Sequence, residues 1–538
     1  MGDPPRTVAF SLSQPSSAAS SRAGSPAPSE KMGPESDDGM DVYDATLPAW
    51  RAAVRRRLVA GIRVESVLVA RMQDAIRSPF LDKYFLHSSA LGTHTFFMAF
   101  LPMPFFFGYD ELGRGLIILI GLGIYVTSVI KDLFCSPRPF APPVTRLTIG
   151  THHLEYGMPS THCTNSVSLA LFLFAHIHQL AFPATGAPPS LSLPAYAAMT
   201  TGLVIYANSI IFSRVYTAMH SFTDCAVGVY FGFILWLAQT SFAGLPISLN
   251  FPGLFTYSTT ICRGWGWGDH LEAWVHRTPS SLAVPFTLIP LALLAVNQHP
   301  QPVDDCPCFE DAIAIGSVML GMLVARWGAV RWGAHIPGVQ GVLMPGSGWV
   351  LGPEGWTATP RSWTDVGIWW SIALLKMTVG IGAIFVWRLI AKAALHRMLP
   401  PTFRFLATLM RLPNRRFYTP ATEYEEVPPV AALRSIPSVI DLPVTAGIEV
   451  GGIGSGSGID GVQYKANGGL RRRAEAVEAA RGKDADSQTL DADDREQVKH
   501  YDADVLTKVI VYAGIGVISC ELMPVLFGKI GWGLRSSP

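Results

Sequence analysis

Residues 115–139 read GLIILIGLGIYVTSVIKDLFCSPRP. The stretch from Leu116 to Phe134 is largely apolar, and a helix needs about 20 such residues to cross a bilayer. Lys131 stands near its end, and Arg138 follows between two prolines. Because proline lacks the N–H of a helix interior and fixes φ, we predict that the helix stops here, with basic side chains at one membrane surface.

The composition is also typical of a membrane protein. Of the 538 residues, 49% are hydrophobic and only 15% are charged, whereas soluble proteins carry about 25% charged residues. Charge is costly in hydrocarbon, so a deficit is expected of a bilayer-embedded chain. The formal net charge of +1 gives no general basic field, which argues against a nucleic-acid partner.

Further apolar segments meet the same length rule. We predict an all-α polytopic membrane protein, a helical bundle of about 8–10 transmembrane helices. The candidate spans are Tyr84–Phe107, Leu116–Phe134, Thr161–Phe182, Ala195–Phe212, Ser221–Gln239, Ser281–Val296, Ala312–Trp327, Val366–Leu389 and Val505–Phe527.

The chain divides by composition into six segments. Residues 1–45 are rich in Ser, Pro and Gly and are predicted to be a disordered tail, and 399–504 to be a flexible loop. Residues 46–82 form a basic amphipathic helix, predicted to lie in the membrane interface; a surface helix docked on the protein is the alternative. Residues 83–240 carry the polar motifs, 241–398 hold additional helices and loops, and 505–538 form the last helix and tail.

The seven cysteines do not indicate a disulfide framework or a zinc site. Cys306 and Cys308 enclose a single proline, which is poor spacing for tetrahedral zinc. We interpret them as loop thiols, oxidised if the loop faces a lumen. The sequence also lacks an Asp-rich cluster, so we predict no metal and no cofactor.

A second motif, MPSTH, occupies residues 158–162. Ser160 precedes an apolar helix and is placed as its N-cap. The N–H groups of such a helix start point toward incoming anions, and His162 would lie in the first turn. The alternative is a plain N-cap with a histidine at the membrane interface. For the first motif, the alternative is that Lys131 and Arg138 only extend their charged ends to the interface.

A third motif, SRVYTAMHSFTD, occupies residues 213–224 and contains Arg214, His220 and Asp224. Four residues separate His220 from Asp224, so on a helix they share one face. The carboxylate can then orient the imidazole and leave its other nitrogen as a nucleophile. A structural His–Asp pair is the alternative. Because two crossings separate this motif from the second, all three can meet at one membrane face.

Together the motifs read K-x6-R-P, P-S-x-H and S-R-x5-H-x3-D. This pattern resembles the type-2 phosphatidic-acid phosphatase superfamily, except that Thr161 stands where the superfamily usually has Gly. The branch of long-chain-base-1-phosphate (sphingosine-1-phosphate) phosphatases carries Ser or Thr there. LGTHTFF at 91–97, EYGMPSTH at 155–162 and FSRVYTAMHS at 212–221 also resemble that branch. The resemblance implies a six-helix-type lipid phosphatase core in the bundle and places the lipid phosphatase catalytic core at residues 83–240.

The resemblance also implies a role for each matching residue. His220 would attack phosphorus and become phosphohistidine, Asp224 would hold its ring, and His162 would protonate the leaving alkoxide. The predicted phosphate-binding residues are Lys131, Arg138, Ser160, Thr161 and Arg214. The implied activity is metal-independent hydrolysis of sphingosine-1-phosphate, dihydrosphingosine-1-phosphate and phytosphingosine-1-phosphate in sphingolipid metabolism. Its partners would be the lipid substrate and membrane lipids, and homo-oligomers are left open.

Other substrates and other classes of protein remain as alternatives. The same site would suit phosphatidate, an isoprenyl diphosphate or glucose-6-phosphate. An anion or lipid transporter would also use intramembrane basic residues, and an inactive lipid-binding scaffold would keep the fold. The resemblance implies the endoplasmic reticulum membrane and a luminal site. The positive-inside rule instead favours the cytosol for the basic segments, and two spans before Lys131 would put the site on the N-terminal side.

Overall fold

The computed structural model describes residues 42–147, 155–183, 188–251, 255–300, 302–303, 306–333, 343–352, 355–409 and 503–535. These residues are mostly helical, which confirms the predicted all-α class. The predicted tail at 1–45 lies outside the described residues except for its last four positions. The predicted loop at 399–504 begins inside a described helix, and its part from 410 to 502 lies outside the description.

Six described helices are long and apolar enough to cross a membrane. Helix α7 (Thr161–Ala181) and the shorter α11 (Ala283–Gln298) lie outside that set. The predicted total of about eight to ten spans therefore depends on these two helices and on the residues before Asp110. The six are α6 (Asp110–Phe134), α8 (Leu193–Tyr216), α9 (Phe222–Gln239), α12 (Cys308–Arg331), α13 (Trp363–Leu409) and a last helix from α14 (Ala503–Val517) through a π turn (Ile518–Leu522) into α15 (Met523–Lys529).

The predicted single span Tyr84–Phe107 is wrong. Thr93 caps a new helix by accepting a hydrogen bond from the Phe96 N–H, and prolines at 102 and 104 end that helix and begin another. The first elements of the chain are α1 (Val42–Thr46), α2 (Ala49–Ile76), α3 (Pro79–Ser89), a 3₁₀ turn (Ala90–Gly92), α4 (His94–Phe100) and α5 (Met103–Phe106).

Helix α6 is the centre of the bundle. Two thirds of its apolar window is buried, and its residues Leu116, Ile120 and Ile124 belong to the main hydrophobic cluster. Helices α7, α9 and α12 pack against it. Because α6 is surrounded by protein, the polar groups near its end, such as Lys131, lie inside the bundle.

Helices α7 and α9 approach each other closely because α9 carries glycines four residues apart. A Cβ on Gly228 would lie 2.6 Å from the Ser160 carbonyl oxygen, and one on Gly232 would lie 2.5 Å from that of Thr164. Small residues at this spacing let helix backbones come together in membranes. The start of α7 is thereby held beside the start of α9.

The long helix α2 docks on the loop end of the bundle. Arg51 donates to the carbonyls of Leu133 and Asp132, at 2.6 and 2.7 Å, and Arg55 Nε donates to the Cys135 carbonyl at 3.1 Å. These basic residues therefore satisfy carbonyls at the end of α6. The contacts match the docked-helix alternative, and the interfacial position stays a prediction.

Two small hairpins lie in regions without a predicted strand. They pair antiparallel, and a helix, α10 (Trp267–Arg277), follows the first. The hairpins are β1 (Leu245–Phe251) with β2 (Phe255–Ile261), and β3 (Trp349–Gly352) with β4 (Gly355–Ala358).

Candidate active site

His220 lies in the turn between α8 and α9, where the N–H groups of Met219 and His220 both donate to the Arg214 carbonyl. Its Nδ1 is 2.8 Å from the carbonyl oxygen of Gly157. Because a carbonyl only accepts, Nδ1 carries the proton of the neutral ring. The other nitrogen, Nε2, therefore keeps its lone pair and is the atom able to attack or to take a proton.

Asp224 lies near this ring without being its closest partner. Its Oδ2 is 3.8 Å from His220 Nδ1, beyond hydrogen-bond distance. The same oxygen accepts from the Ser221 N–H at 2.9 Å, and the Ser221 hydroxyl accepts from the Asp224 N–H at 3.2 Å. This capping box fixes the first turn of α9 and leaves the carboxylate as a nearby negative charge.

The surroundings of His220 keep it neutral. Its side chain is almost fully buried, and burial lowers its pKa well below 6.5. The positive charges of Arg138, Arg214 and Lys131 lower that pKa further, since they repel an imidazolium. Near neutral pH the ring is therefore an uncharged base surrounded by cations.

Three buried cations surround the histidine. Arg138 Nε donates to the Glu155 carbonyl at 2.8 Å, and Nη1 donates to the Met219 carbonyl at 2.9 Å. Burial lowers the pKa of Arg138 to about 10, which still leaves it charged near neutral pH. Lys131 Nζ donates to the Glu155 carboxylate at 2.8 Å. Arg214 is buried, and its Nε has no hydrogen-bond partner among the described residues.

The start of α7 supplies the predicted helix N-terminus. Ser160 is its N-cap, and the Ser160 hydroxyl accepts from the Cys163 N–H at 3.4 Å. The hydroxyls of Thr161 and Thr127 share a hydrogen bond of 2.9 Å, which ties α7 to α6. His162 follows in the first turn and lines a cavity with Lys131. This arrangement suits an anion at the helix start.

Hydrogen bonds link the three motifs, one of them through Gly157, which directly precedes the second motif. The Gly157 N–H donates to the Ser136 carbonyl at 2.8 Å, and the Ser160 N–H donates to the Asp224 carbonyl at 3.1 Å. Arg138 completes the set through its bond to Met219. The structure therefore brings the three motifs, and all eight predicted site residues, to one end of the bundle.

The cavity beside His162 also contains residues that the sequence analysis did not select. It is small, about 20 Å³, which is room for roughly one water. Glu155, Asn165 and Asp311 line it together with Lys131 and His162. Glu155 adjoins a motif and was within reach of sequence reasoning. Asp311 lies almost 150 residues after His162 (311 − 162 = 149), and only the packing of α12 on α6 brings it here.

One group of potential metal ligands occurs among the described residues. Asp132, Cys306 and Cys308 place ligand atoms within 4.8 Å of one another. The two cysteines form a disulfide, so neither sulfur is a thiolate ligand. Cys308 also lines the cavity.

The same motifs lie within a region of similarity to known proteins. Residues 112–244 match the family model described as the PAP2 superfamily. The chain is 30% identical over 362 residues to a dihydrosphingosine 1-phosphate phosphatase of Schizosaccharomyces pombe, covering 66% of this chain and 73% of that protein. It is 27% identical to one of Saccharomyces cerevisiae, covering 68% and 76%. It is 30% identical to sphingosine-1-phosphate phosphatase 2 of Homo sapiens, covering 34% and 43%.

Proposed function

Because this chain belongs to the PAP2 superfamily and, within it, to the branch of sphingoid-base phosphate phosphatases, we propose that it hydrolyses long-chain-base 1-phosphates to the free base and phosphate. The names of its relatives support the substrate class. The observation that carries the mechanism is the hydrogen bond from His220 Nδ1 to Gly157, which leaves Nε2 available among three cations.

In the first step, Nε2 of His220 attacks phosphorus while the bond from phosphorus to the substrate oxygen breaks. His162 gives its proton to the departing alkoxide, which is otherwise a poor leaving group. In the second step, a water attacks the phosphohistidine and loses a proton to His162. Phosphate leaves, and both histidines return to their starting states.

The cations and the start of α7 act on the phosphoryl group. Catalysis of phosphoryl transfer is mostly positioning and stabilisation of charge on the equatorial oxygens. Arg214 is suited to this role, since its buried Nε lacks a described partner and its planar fork matches phosphate. Lys131 and Arg138 add charge, while Ser160 and the Thr161 N–H add donors. These roles require no metal.

Gly157 and Asp224 act on His220 rather than on the substrate. The Gly157 carbonyl fixes the tautomer, and it remains an acceptor when the ring becomes positively charged. Asp224, at 3.8 Å, stabilises that positive charge electrostatically and holds the first turn of α9. Both residues are therefore positioning residues in this mechanism.

We place the protein in the endoplasmic reticulum membrane with its site in the lumen. The disulfide between Cys306 and Cys308 lies at the cavity, and disulfides persist in oxidising compartments. Helix α2 docks at the same end of the bundle as the site, so both lie on the same side of the membrane. A tag before α2 should survive protease added to sealed microsomes and be cleaved after detergent. Cleavage in sealed vesicles would place the site in the cytosol.

We also propose that the chain is divided into the six segments predicted from its composition, with one addition. The catalytic core lies within 83–240, and the basic helix of 46–82 covers the site end of the bundle at the membrane interface. The segment 241–398 contributes Asp311 to the cavity, so it belongs to the working site as well.

The test is phosphate release from sphingosine-1-phosphate by purified protein in detergent with EDTA. We expect release by the wild type, a loss of at least about 10³-fold in His220→Ala, and little change in His270→Ala, which removes an exposed histidine on α10. Phosphatidate serves as the competing substrate. Release that survives in His220→Ala would refute the mechanism, and faster release from phosphatidate would refute the substrate class.

A further inference from the structure

A short turn from outside the three motifs lies against the ring of His162. This is the 3₁₀ turn Ala90–Gly92 between α3 and α4, and its last residue, Gly92, is buried. A Cβ built on Gly92 would lie 2.9 Å from His162 Cδ2 and 3.5 Å from His162 Cγ, whereas ordinary contact begins at 3.4 Å. Because glycine has no Cβ, the backbone can approach the imidazole this closely.

Hydrogen bonds hold the backbone of this turn. The N–H and the hydroxyl of Thr93 both donate to the Ala90 carbonyl, at 3.2 and 2.6 Å. The hydroxyl of Tyr206 on α8 donates to the Leu91 carbonyl at 3.4 Å. Since the turn is tied both to itself and to α8, a methyl group added at its end would displace the His162 ring more readily than the turn.

This contact differs from those of the other closely packed glycines near the site. For Gly157, Gly228 and Gly232, the atom nearest to an added Cβ is a main-chain carbonyl oxygen. At Gly92 the nearest atom is a ring carbon of a side chain that takes part in the proposed mechanism. His162 Cδ2 is bonded to Nε2, so any shift of this carbon also moves a nitrogen that can carry the proton.

We propose that Gly92 is a positioning residue for His162, because its missing side chain leaves the space in which the imidazole is oriented toward the leaving alkoxide. This inference rests on the proposed function, in which His162 is the general acid. Gly92 lies 20 residues before the region that matches the family model (112 − 92 = 20). The working site therefore extends to a segment outside that region.

The test is Gly92→Ala, assayed with sphingosine-1-phosphate and with nitrophenyl phosphate, whose leaving group needs no proton. The added Cβ requires the His162 ring to move by 3.4 − 2.9 = 0.5 Å. A misplacement of about 1 Å costs about 10²-fold in rate, so half of it should cost about 10-fold. We expect kcat to fall by that factor on the lipid and to change much less on nitrophenyl phosphate. A general loss of structure would lower both rates equally.

A His162→Ala background shows whether the effect passes through the ring. Of the three atoms nearest to the added Cβ, only Ile210 Cγ2 then remains, at 3.5 Å, which is ordinary contact. In this background Gly92→Ala should change neither the rates nor thermal unfolding, so the double-mutant cycle should show full coupling. Gly61→Ala on α2 is the control for an added methyl group, because a Cβ there meets nothing within 4 Å. It should leave the rates unchanged in both backgrounds.

The outcomes separate this inference from the proposed function. Equal losses on the two substrates in Gly92→Ala would overturn the inference, as would an unchanged kcat on the lipid or a loss that persists in the His162→Ala background. If Gly92→Ala alone does not fold, thermal unfolding of the double variant decides. Unfolding at the temperature of His162→Ala would support the contact with the ring, and unfolding at a clearly lower temperature would overturn it. A wild type inactive on the lipid would instead refute the proposed function.

Discussion

Replacing Gly157 with alanine tests whether the carbonyl of that residue orients His220. The added Cβ would lie 2.6 Å from the Pro137 carbonyl oxygen and 3.1 Å from Asp224 Oδ2. Ordinary contact begins at 3.4 Å, so the backbone has to move by 3.4 − 2.6 = 0.8 Å. The clash is with main chain, which cannot rotate aside as a side chain would.

The displaced carbonyl is the one that accepts from His220 Nδ1 at 2.8 Å. A misplacement of about 1 Å in a reacting group costs about 10²-fold in rate, so we expect kcat to fall by that factor. The same overpacking should cost about 1–3 kcal/mol of stability. Binding should change less, because no side-chain atom of the proposed phosphate-binding cations is among the three atoms nearest the added Cβ.

The assay is phosphate release at a temperature below the melting transition of every variant, with thermal unfolding measured in parallel. Gly202→Ala on α8 is the matched control, because a Cβ there meets nothing within 4 Å. It should keep wild-type kcat. A Gly157→Ala protein with wild-type kcat would refute the orienting role of this carbonyl. A Gly157→Ala protein that loses stability but keeps wild-type kcat would also refute that role, because Gly157 would then matter only for packing.

The site supports three further predictions. His162→Ala should lose about 10²–10⁴-fold on the lipid substrate but much less on a nitrophenyl phosphate, whose leaving group needs no proton; equal losses would contradict the general-acid role. Arg214→Lys should lose about 10-fold or more in kcat/KM because the charge stays while the fork is lost; full activity would contradict phosphate binding by the guanidinium. Because the pKa of His220 is well below 6.5, the unfolded chain takes up this proton first as pH falls. Wild-type stability should therefore fall more than that of His220→Gln between about pH 7 and about pH 5; equal falls in thermal unfolding would contradict a buried neutral ring.

Much of the site was predictable because its residues lie in short contiguous motifs. Pro137 and Pro139 mark the end of α6, and Ser160 marks the start of α7, through local backbone preferences that a sequence displays directly. The prediction of a single span at Tyr84–Phe107 was wrong because it rested on hydropathy and not on these local preferences. Its hydropathy was sufficient, but the capping hydroxyl of Thr93 and the prolines after it favour several short helices.

The partner of His220 was harder to predict. The spacing to Asp224 indicated a carboxylate on one helical face, yet His220 lies before the first turn of α9, and its Nδ1 meets Gly157 from another loop. Every residue has a main-chain carbonyl, so neither residue type nor periodicity can indicate which carbonyl accepts from His220.

The sequence by itself determined the membrane class, the end of α6, the start of α7 and the choice of eight candidate site residues, because hydropathy, caps and motif spacing are local properties. The tertiary structure alone decided which oxygen holds the His220 proton and which residues complete the cavity. It did so because these depend on close helix approach at Gly228 and on the packing of α12 against α6, which bring together atoms far apart in the chain.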